Sequence, residues 1–245
     1  MAKFFKKTAN LIKETLFPEN YTCEICGIEI FKDRLCHDCA ETVEFNNGKT
    51  CPTCGRKTAK SEICIECKAH LPQFKRAVSA MNYSDGAVRL IAKFKNGHAY
   101  LAGYFAELIA PHLENLPHFD GIVYVPMTEK AKSRRGYNQA ELLANHISEI
   151  TGVPVLKDAV VKHKETAEQK DLFRSERVKN LSECFKADSN SVKGKTILAV
   201  DDVLTTGATL DALTIALKKS GAKQIFAATC ASVEYSPIPP KNESY

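Results

Sequence analysis

Eight cysteines near the front of the chain form a tandem repeat, which limits the folds that this segment can adopt. Each cysteine of the first set recurs 28 positions later in the second set. The first set is Cys23, Cys26, Cys36 and Cys39, and the second set is Cys51, Cys54, Cys64 and Cys67. Each set consists of two Cys-x-x-Cys pairs nine residues apart. Four thiolates in this arrangement fit a closed tetrahedral Zn²⁺ site.

The repeat predicts a tandem zinc ribbon over residues 21–70, with two structural Zn²⁺ ions. This segment is short and poor in apolar residues, so it could not pack a core without metal. A closed site with four protein ligands stabilises a fold and leaves no open position for catalysis. The simplest pairing assigns each set to its own ion, although the spacing alone also permits a crossed scheme, or free or disulfide-bonded cysteines. Cys184 and Cys230 lie outside the repeat, and we expect both to be buried as small hydrophobic residues.

Composition and charge limit the cellular compartments and the classes of function that are possible for this chain. The chain contains no run of 18 apolar residues and no continuous apolar core of a signal peptide, so we expect a cytoplasmic protein. Cysteines spaced in pairs then indicate metal rather than disulfides. The formal net charge of +5 counts every cysteine as a neutral thiol. Two Zn²⁺ ions with four thiolates each would lower it to about +1, so the bulk charge is no argument for nucleic-acid binding.

The first 20 residues have an amphipathic pattern. Six apolar residues recur at roughly helical spacing among lysines, namely Phe4, Phe5, Leu11, Ile12, Leu16 and Phe17. Such a segment can make a peripheral membrane contact or lie on a partner. It can equally pack on its own protein or fray as a chain end.

The remainder of the chain predicts an α/β domain over residues 71–235 and a disordered tail over 236–245. Predicted strands cover 77–83, 121–126, 153–161, 195–200 and 223–232, and predicted helices cover 85–95, 100–112, 138–150 and 209–220. Strands that alternate with helices argue for a parallel sheet covered on both faces. Ligands bind such sheets at the carboxyl ends of the strands.

The segment 196–209 combines a buried strand, two carboxylates, a short loop and a helix start. The carboxylates are Asp201 and Asp202, and they can accept bonds from two vicinal ribose hydroxyls, directly or through a Mg²⁺ shell. Small residues follow in the loop and at the helix start, namely Thr205, Thr206, Gly207, Ala208 and Thr209. Their backbone N–H groups can converge on a phosphate at the positive end of the helix. The segment therefore predicts a ribose-5-phosphate site.

Two further segments have chemistry of their own. A basic loop after the strand 121–126 contains Lys130, Lys132, Arg134 and Arg135 just before a helix start near Asn138. This loop can receive pyrophosphate or a nucleic-acid backbone, or it can be a solvated turn. Tyr137 can stack on a base or pack against its own protein.

A long polar loop, 162–177, is a candidate lid over a bound ligand, with Gln169 and Arg177 as its functional residues, unless it is disordered.

The order of these parts resembles the ComF family, in its ComFC-like group, within the type I phosphoribosyltransferase superfamily. The matching segments are FPENYTCEICG, MNYSDGAVRLIAKFKNG, VPMTEKAKSRRGYNQAELLA, ETAEQKDLFRSERVKNLSECF and ILAVDDVLTTGATLDA, together with the cysteine repeat. The resemblance implies an α/β fold of the type I phosphoribosyltransferase kind, a parallel sheet flanked by helices with a small N-terminal tandem zinc-ribbon module. One departure is Met127-Thr128-Glu129, where the family commonly continues with Pro-Leu and a basic or histidine residue.

The resemblance also implies roles for individual residues around phosphoribosyl pyrophosphate (PRPP). Asp201 and Asp202 would be the catalytic pair that binds the ribose hydroxyls and Mg²⁺. Residues 205–209 would cradle the 5′-phosphate. Arg134 or Arg135 would neutralise the pyrophosphate. The superfamily includes members that bind PRPP only as a regulatory signal, so the resemblance leaves turnover open.

At the level of function, the resemblance implies a competence protein that handles single-stranded DNA in natural transformation, beside a ComFA-like helicase or translocase ATPase. Two alternatives stay open. The intact ribose-phosphate segment suits an active phosphoribosyltransferase in nucleotide salvage. The tandem ribbons suit an adaptor that docks the helicase-like ATPase.

Overall fold

A computed structural model describes residues 22–31, 33–162 and 184–234 of the chain. The predictions for residues 1–20, for the tail 236–245 and for nearly all of the polar loop 162–177 lie outside the described residues. Within the described ranges, no helix is both long enough and apolar enough to cross a membrane.

The centre of the molecule is a parallel sheet of four strands. These are β1 (Arg76–Asn82), β2 (Gly121–Tyr124), β5 (Thr196–Leu204) and β6 (Gln224–Ser232), in the spatial order β1-β6-β5-β2. A separate antiparallel pair consists of β3 (Val160–Lys162) and β4 (Phe185–Ala187). β6 is buried along all but its first residue, because a central strand of a parallel sheet is covered on both faces.

Eight helices surround the sheet in the described ranges. They are α1 (His37–Glu41), α2 (Ile65–Ala69), α3 (Asp85–Lys95), α4 (Leu101–Leu113), α5 (Glu129–Arg135), α6 (Gln139–Thr151), α7 (Ser189–Val192) and α8 (Ala208–Lys219). The four helices predicted from the sequence are confirmed to within one residue at either end. α6, for example, ends where Gly152 adopts the left-handed conformation with φ 73°.

Three sequence-based predictions differ from the structure by more than two residues. The strand predicted over 195–200 continues to Leu204, because β6 pairs with it as far as Ser232, so the carboxylates lie within the strand rather than after it. Of the strand predicted over 153–161, Val155 forms only an isolated parallel bridge with Ile122 of β2, and the last residues pair with β4 instead of continuing the central sheet. Asp158 has a φ of 58°, which ends the extended conformation ahead of β3.

The third difference is the basic loop, which forms the helix α5 instead. The Thr128 hydroxyl accepts a hydrogen bond from the Ala131 backbone N–H at 3.3 Å, which caps the start of this helix. Gly136 ends it with a φ of 83°. The departure from the family pattern at Met127-Thr128-Glu129 thus supplies the cap.

The buried side chains form one apolar cluster on each face of the sheet. The first cluster joins α3, α4 and α6 to Leu198 and Val200 of β5. The second joins α8 to Ile197 and Ala199, which point to the opposite face. The predicted coverage of both faces is therefore confirmed.

The two zinc ribbons pack against different clusters. We call the segment that contains Cys23 to Cys39 the first ribbon and the segment that contains Cys51 to Cys67 the second ribbon. Buried residues of the first ribbon, including Ile25, belong to the cluster with α3, α4 and α6. The second ribbon contributes its cysteines to the cluster with α8. Each ribbon therefore completes a different side of the core.

Candidate functional site

The cysteines form two compact groups of sulfur atoms, one in each ribbon. Within each set of four, the sulfur atoms lie within 4.8 Å of one another. The Sγ atoms of Cys26 and Cys36 are 3.7 Å apart, and those of Cys54 and Cys64 are 3.6 Å apart. A tetrahedral zinc–sulfur site with bonds of about 2.3 Å places its sulfurs about 3.8 Å apart. The geometry confirms the simple pairing over the crossed one.

The electrostatics of these sulfur groups fit a dication. Burial and the neighbouring sulfurs raise the pKa of Cys39 to about 12. In the second ribbon, the hydrogen bond with Cys51 raises the pKa of Cys54 to about 12, and contact with the sulfurs of Cys51 and Cys54 also raises the pKa of Cys67. Four sulfurs this close cannot all ionise unless a cation lies between them. Both sets therefore have the donors and the geometry of structural Zn²⁺ sites.

The acid pair lies near the carboxyl end of the central strand β5. The backbone N–H of Asp202 donates a hydrogen bond to Oδ1 of Asp201 at 2.9 Å. Burial, and after it the charge of Asp202, raises the pKa of Asp201 to about 8. Mg²⁺ in proteins commonly takes one or two carboxylates and completes its shell with water and substrate phosphates. These two carboxylates fit that pattern, and a cation would relieve the repulsion between them.

Lys95 is a site residue that the sequence analysis missed. It ends helix α3, and its Nζ lies 2.8 Å from Oδ2 of Asp202. In the described structure this ammonium already neutralises one of the two carboxylates. The sequence offers one signal, since the lysine lies in the matching segment MNYSDGAVRLIAKFKNG. Nothing in that segment indicates that the end of α3 lies over β5.

The loop after β5 has the local geometry expected of a phosphate cradle. Gly207 has a φ of 80°, which is accessible to glycine at little cost, and helix α8 begins at the next residue. The Thr206 hydroxyl accepts a hydrogen bond from the Ala208 N–H at 3.3 Å. The first N–H groups of a helix have no acceptor within that helix, so they are available to an anion. Thr205 and Thr209 flank this turn on either side.

Arg56 ties the second ribbon to this loop, a contact that the sequence analysis also missed. The side chain is only 3% exposed. Its Nη2 donates a hydrogen bond to the carbonyl of Thr205, and its Nε donates one to the carbonyl of Val233 at 2.8 Å. Its Nη1 forms an ion pair with Oε2 of Glu66 at 2.9 Å. A metal-binding segment therefore supports the backbone of the candidate phosphate loop directly.

The two candidate pyrophosphate arginines lie at the end of α5 and are exposed. Nη1 of Arg135 lies 3.5 Å from Oε1 of Gln139. In the part of the chain that the structure describes, no ion pair joins Arg134 or Arg135 to either aspartate. The link between the two regions is the sheet itself. The backbone N–H of Val125, just after β2, donates to the carbonyl of Val200 in β5 at 2.9 Å.

The residues after α5 orient this region rather than offer a stacking surface. The Tyr137 hydroxyl donates to the carbonyl of Phe94 in α3 and accepts a hydrogen bond from the Gly97 N–H at 3.2 Å. Asn138 donates to the carbonyl of Val125 at 3.0 Å and accepts from the Ala140 N–H, which caps α6. Of the two predicted roles for Tyr137, the packing role is therefore the one found. It also fixes the end of α3 from which Lys95 extends.

Family models match two separate parts of the chain. The phosphoribosyl transferase domain matches residues 102–244, which is more than half of the chain, and the double zinc ribbon domain matches residues 12–68. Among solved structures, purine phosphoribosyltransferase from Pyrococcus horikoshii aligns with a TM-score of 0.36 and 20% identity, over 58% of this chain and 78% of that one. A TM-score of this size supports no conclusion by itself.

Relatives of known name are proteins of competence and DNA utilization. Competence protein F of Haemophilus influenzae is 30% identical over 163 residues, which cover 63% of this chain and 71% of the relative. DNA utilization protein YhgH of Escherichia coli (strain K12) is 29% identical over 63% of this chain and 70% of the relative. Competence protein ComFC of Bacillus subtilis is 30% identical over 54% of this chain and 53% of the relative.

Proposed function

The chain belongs to the competence protein F (ComF) family, with a phosphoribosyl transferase domain and a double zinc ribbon, and from this premise we propose that it handles single-stranded DNA in natural transformation. The same protein binds PRPP with Mg²⁺ in the pocket at the carboxyl end of β5, and this pocket regulates its handling of DNA. The protein works in the cytoplasm, where a reducing environment keeps the cysteines available to zinc.

The observation that carries the PRPP proposal is the continuous run from the acid pair to the start of α8. Asp201 and Asp202 would bind the ribose hydroxyls and Mg²⁺, and the N–H groups of residues 205–209 would bind the 5′-phosphate. Bound Mg²⁺ would supply positive charge opposite the pyrophosphate. Lys95 provides a resident cation for Asp202 until the ligand arrives, because its ammonium lies 2.8 Å from that carboxylate.

The DNA proposal depends on the exposed cations of α5. Lys132, Arg134 and Arg135 are all exposed, and the hydrogen bonds of Tyr137 and Asn138 hold the chain that follows this helix against α3 and β2. An exposed cluster of cations on a fixed support is suited to phosphates of a nucleic-acid backbone. The same cations could bind the pyrophosphate of PRPP, so that binding of one ligand would change the affinity for the other.

A labelled oligonucleotide, single- or double-stranded, titrated across a salt series with and without Mg-PRPP tests both parts. We expect preferential single-strand binding with a steep salt slope, and an affinity that changes when Mg-PRPP is present. The triple variant Lys132→Ala, Arg134→Ala and Arg135→Ala should reduce the salt slope by about 2. A matched control removes the same charge elsewhere, at Lys157, Lys219 and Lys223. Equal slopes for the two triple variants would rule out the α5 surface.

An active phosphoribosyltransferase of nucleotide salvage is the second candidate, and the intact acid pair and phosphate loop favour it. In that case Asp201 and Asp202 would stabilise positive charge on the ribose ring, while Arg134 or Arg135 would neutralise the departing pyrophosphate. The test is release of pyrophosphate from Mg-PRPP with a panel of bases. Absence of release with every base, from protein that binds Mg-PRPP, would leave the regulatory role.

The adaptor role is compatible with the main proposal, because ribbons are rigid docking surfaces. A ComFA-like helicase or translocase ATPase is the proposed partner, and the segment 1–20 can add a peripheral membrane contact. Deleting the ribbons would be a poor test, because the cluster with α3, α4 and α6 includes Ile25 of the first ribbon. Ile28 is 59% exposed there, so Ile28→Asp is a milder change. Loss of ATPase binding in this variant would support docking through the first ribbon.

A further inference from the structure

We propose that Arg56 is a positioning residue for the phosphate loop, and that zinc in the second ribbon thereby controls the affinity for PRPP. The inference rests on the proposed PRPP pocket and goes beyond it, since it assigns the second zinc centre a role in ligand binding. The first zinc centre has no such role. The zinc would act on the pocket through protein contacts, without touching PRPP.

The first step concerns how completely Arg56 is engaged. Its side chain is 3% exposed, and its three guanidinium nitrogens each have a partner. Two of these partners are backbone carbonyls, those of Thr205 before the phosphate loop turn and of Val233 just after β6. A guanidinium is planar and rigid, so three simultaneous contacts fix the carbonyls relative to the ribbon. The position of Thr205 is therefore set by the second ribbon.

The second step concerns what holds Arg56 itself. It lies two residues after Cys54, and its own carbonyl accepts a hydrogen bond from the Cys51 N–H at 2.7 Å. Its ion-pair partner Glu66 lies on α2, between Cys64 and Cys67. Both residues of this ion pair thus lie within two positions of a zinc-ligating cysteine in the sequence. Loss of zinc would release the two segments that bring the pair together.

The third step connects the contact to affinity. The phosphate loop must present several N–H groups to one anion, and ordering such a loop at the time of binding reduces affinity. The Arg56 contact orders the loop during folding, so the loop is already ordered when the ligand binds. The acid pair lies in β5, and Thr205 directly follows that strand, so a displaced loop would also lose its position relative to Asp201 and Asp202.

The first ribbon provides an internal comparison, because the repeat places other residues at the equivalent positions. Ile28 occupies the position of Arg56, and Asp38 occupies that of Glu66, each 28 residues earlier. Ile28 is 59% exposed, and Asp38 is exposed on α1. The described structure gives neither residue a contact with the phosphate loop. Zinc in the first ribbon should therefore have no influence on PRPP binding.

The test compares Arg56→Met with Arg34→Met, which changes the arginine of the first ribbon. For each full-length variant, zinc content is measured first, and Mg-PRPP is then titrated by calorimetry. We expect Arg56→Met to bind Mg-PRPP about tenfold more weakly, within the usual range for coupled sites, and Arg34→Met to bind as the wild type does. Equal affinity for Arg56→Met and the wild type would overturn the proposal.

Two additions keep the test decisive if Arg56→Met fails to fold. The double variant Arg56→Met and Glu66→Met removes both buried charges, which proteins often tolerate, and it still lacks the donor to Thr205. Hydrogen exchange of the segment 203–209, measured without PRPP, should be faster in this variant and unchanged in Arg34→Met. Unchanged exchange would overturn the inference even if PRPP bound more weakly to the variant. If exchange were faster in the variant but the wild type did not bind Mg-PRPP, the contact between Arg56 and the loop would be supported and the PRPP pocket would be refuted.

Discussion

The two ribbons have the same cysteine spacing but are attached to the molecule in different ways. The first ribbon packs against α4, where Tyr100, just before the helix, donates a hydrogen bond to Glu24 at 2.7 Å and the guanidinium of Arg34 lies 5.3 Å from the centre of the Tyr104 ring. The second ribbon inserts the buried Arg56 beneath the phosphate loop. A repeated metal site can therefore serve only to complete the core in one copy and to support a candidate ligand site in the other.

This difference lies in the residues between the ligands rather than in the ligands themselves. Both knuckles use a glycine with a positive φ, 77° at Gly27 and 71° at Gly55. A Cβ at Gly27 would meet no atom within 4 Å, whereas a Cβ at Gly55 would lie 2.7 Å from the carbonyl oxygen of Ala77 in β1. The second knuckle is therefore pressed against the central sheet, and the first is open.

The largest expected effect comes from removing one buried ligand from each centre. Cys67→Ser should destabilise the protein by on the order of 5 kcal/mol, because loss of that zinc also frees the buried Arg56–Glu66 pair. The equivalent change in the first ribbon, Cys39→Ser, should cost about half as much. Thermal unfolding with zinc quantification measures both. Equal losses would mean that the two ribbons contribute alike.

The next effect concerns the two arginines. Arg56→Met removes the ion pair with Glu66 and two hydrogen bonds to backbone carbonyls, and it should cost about 3–5 kcal/mol. Arg34→Met removes a contact with Glu24 that is 3.8 Å long and partly exposed, which should cost about 1 kcal/mol or less. Denaturant unfolding measures both values. Recovery of stability in the double variant Arg56→Met and Glu66→Met would attribute the loss to the broken Arg56–Glu66 ion pair.

The knuckle glycines give a smaller effect of the same kind. Gly27→Ala should lower the free energy of unfolding by about 1–2 kcal/mol, because a residue with a Cβ is strained in a left-handed conformation. Gly55→Ala adds a backbone clash with Ala77, so we expect a cost of about 3 kcal/mol. Urea unfolding of the two variants tests the contrast. If their midpoints coincided, the second knuckle would not be pressed against β1.

The smallest effect comes from the hydrogen bond that joins Glu24 of the first ribbon to Tyr100 at the start of α4. Tyr100→Phe removes the donor to Glu24 and should cost about 1 kcal/mol. Zinc content and Mg-PRPP affinity should stay at their wild-type values, because this contact is unrelated to the phosphate loop. A change in Mg-PRPP affinity here would show that the first ribbon also influences the pocket.

Local patterns in the sequence were sufficient for much of the fold. The 28-residue repeat identified the two metal sets, and the helix ended by Gly152 was placed to within a residue, because caps and ligand spacings are local features. The strand–loop–helix at the phosphate site is equally local. Within that segment only the end of β5 differs from the prediction, since pairing with β6 rather than propensity sets where the strand stops.

The contacts that complete the site could not be predicted in the same way. Arg56 meets a carbonyl that lies 149 residues later in the chain, and Lys95 meets Asp202 from the end of another helix. Neither residue differs in type from the many surface cations of this chain. Their burial and partners follow from how the ribbons and α3 pack on the sheet, which no local spacing encodes. Helix α5 was missed for a simpler reason, an overlooked cap at Thr128.

The most direct test of the account is to withdraw zinc stepwise with a chelator while following Mg-PRPP affinity. The first centre should lose its metal first, because Cys26 is exposed, whereas three of the four cysteines in the second centre are buried. The account predicts that affinity stays constant until the second zinc leaves and then falls about tenfold. An affinity that fell with the first zinc, or that survived the loss of both, would contradict it.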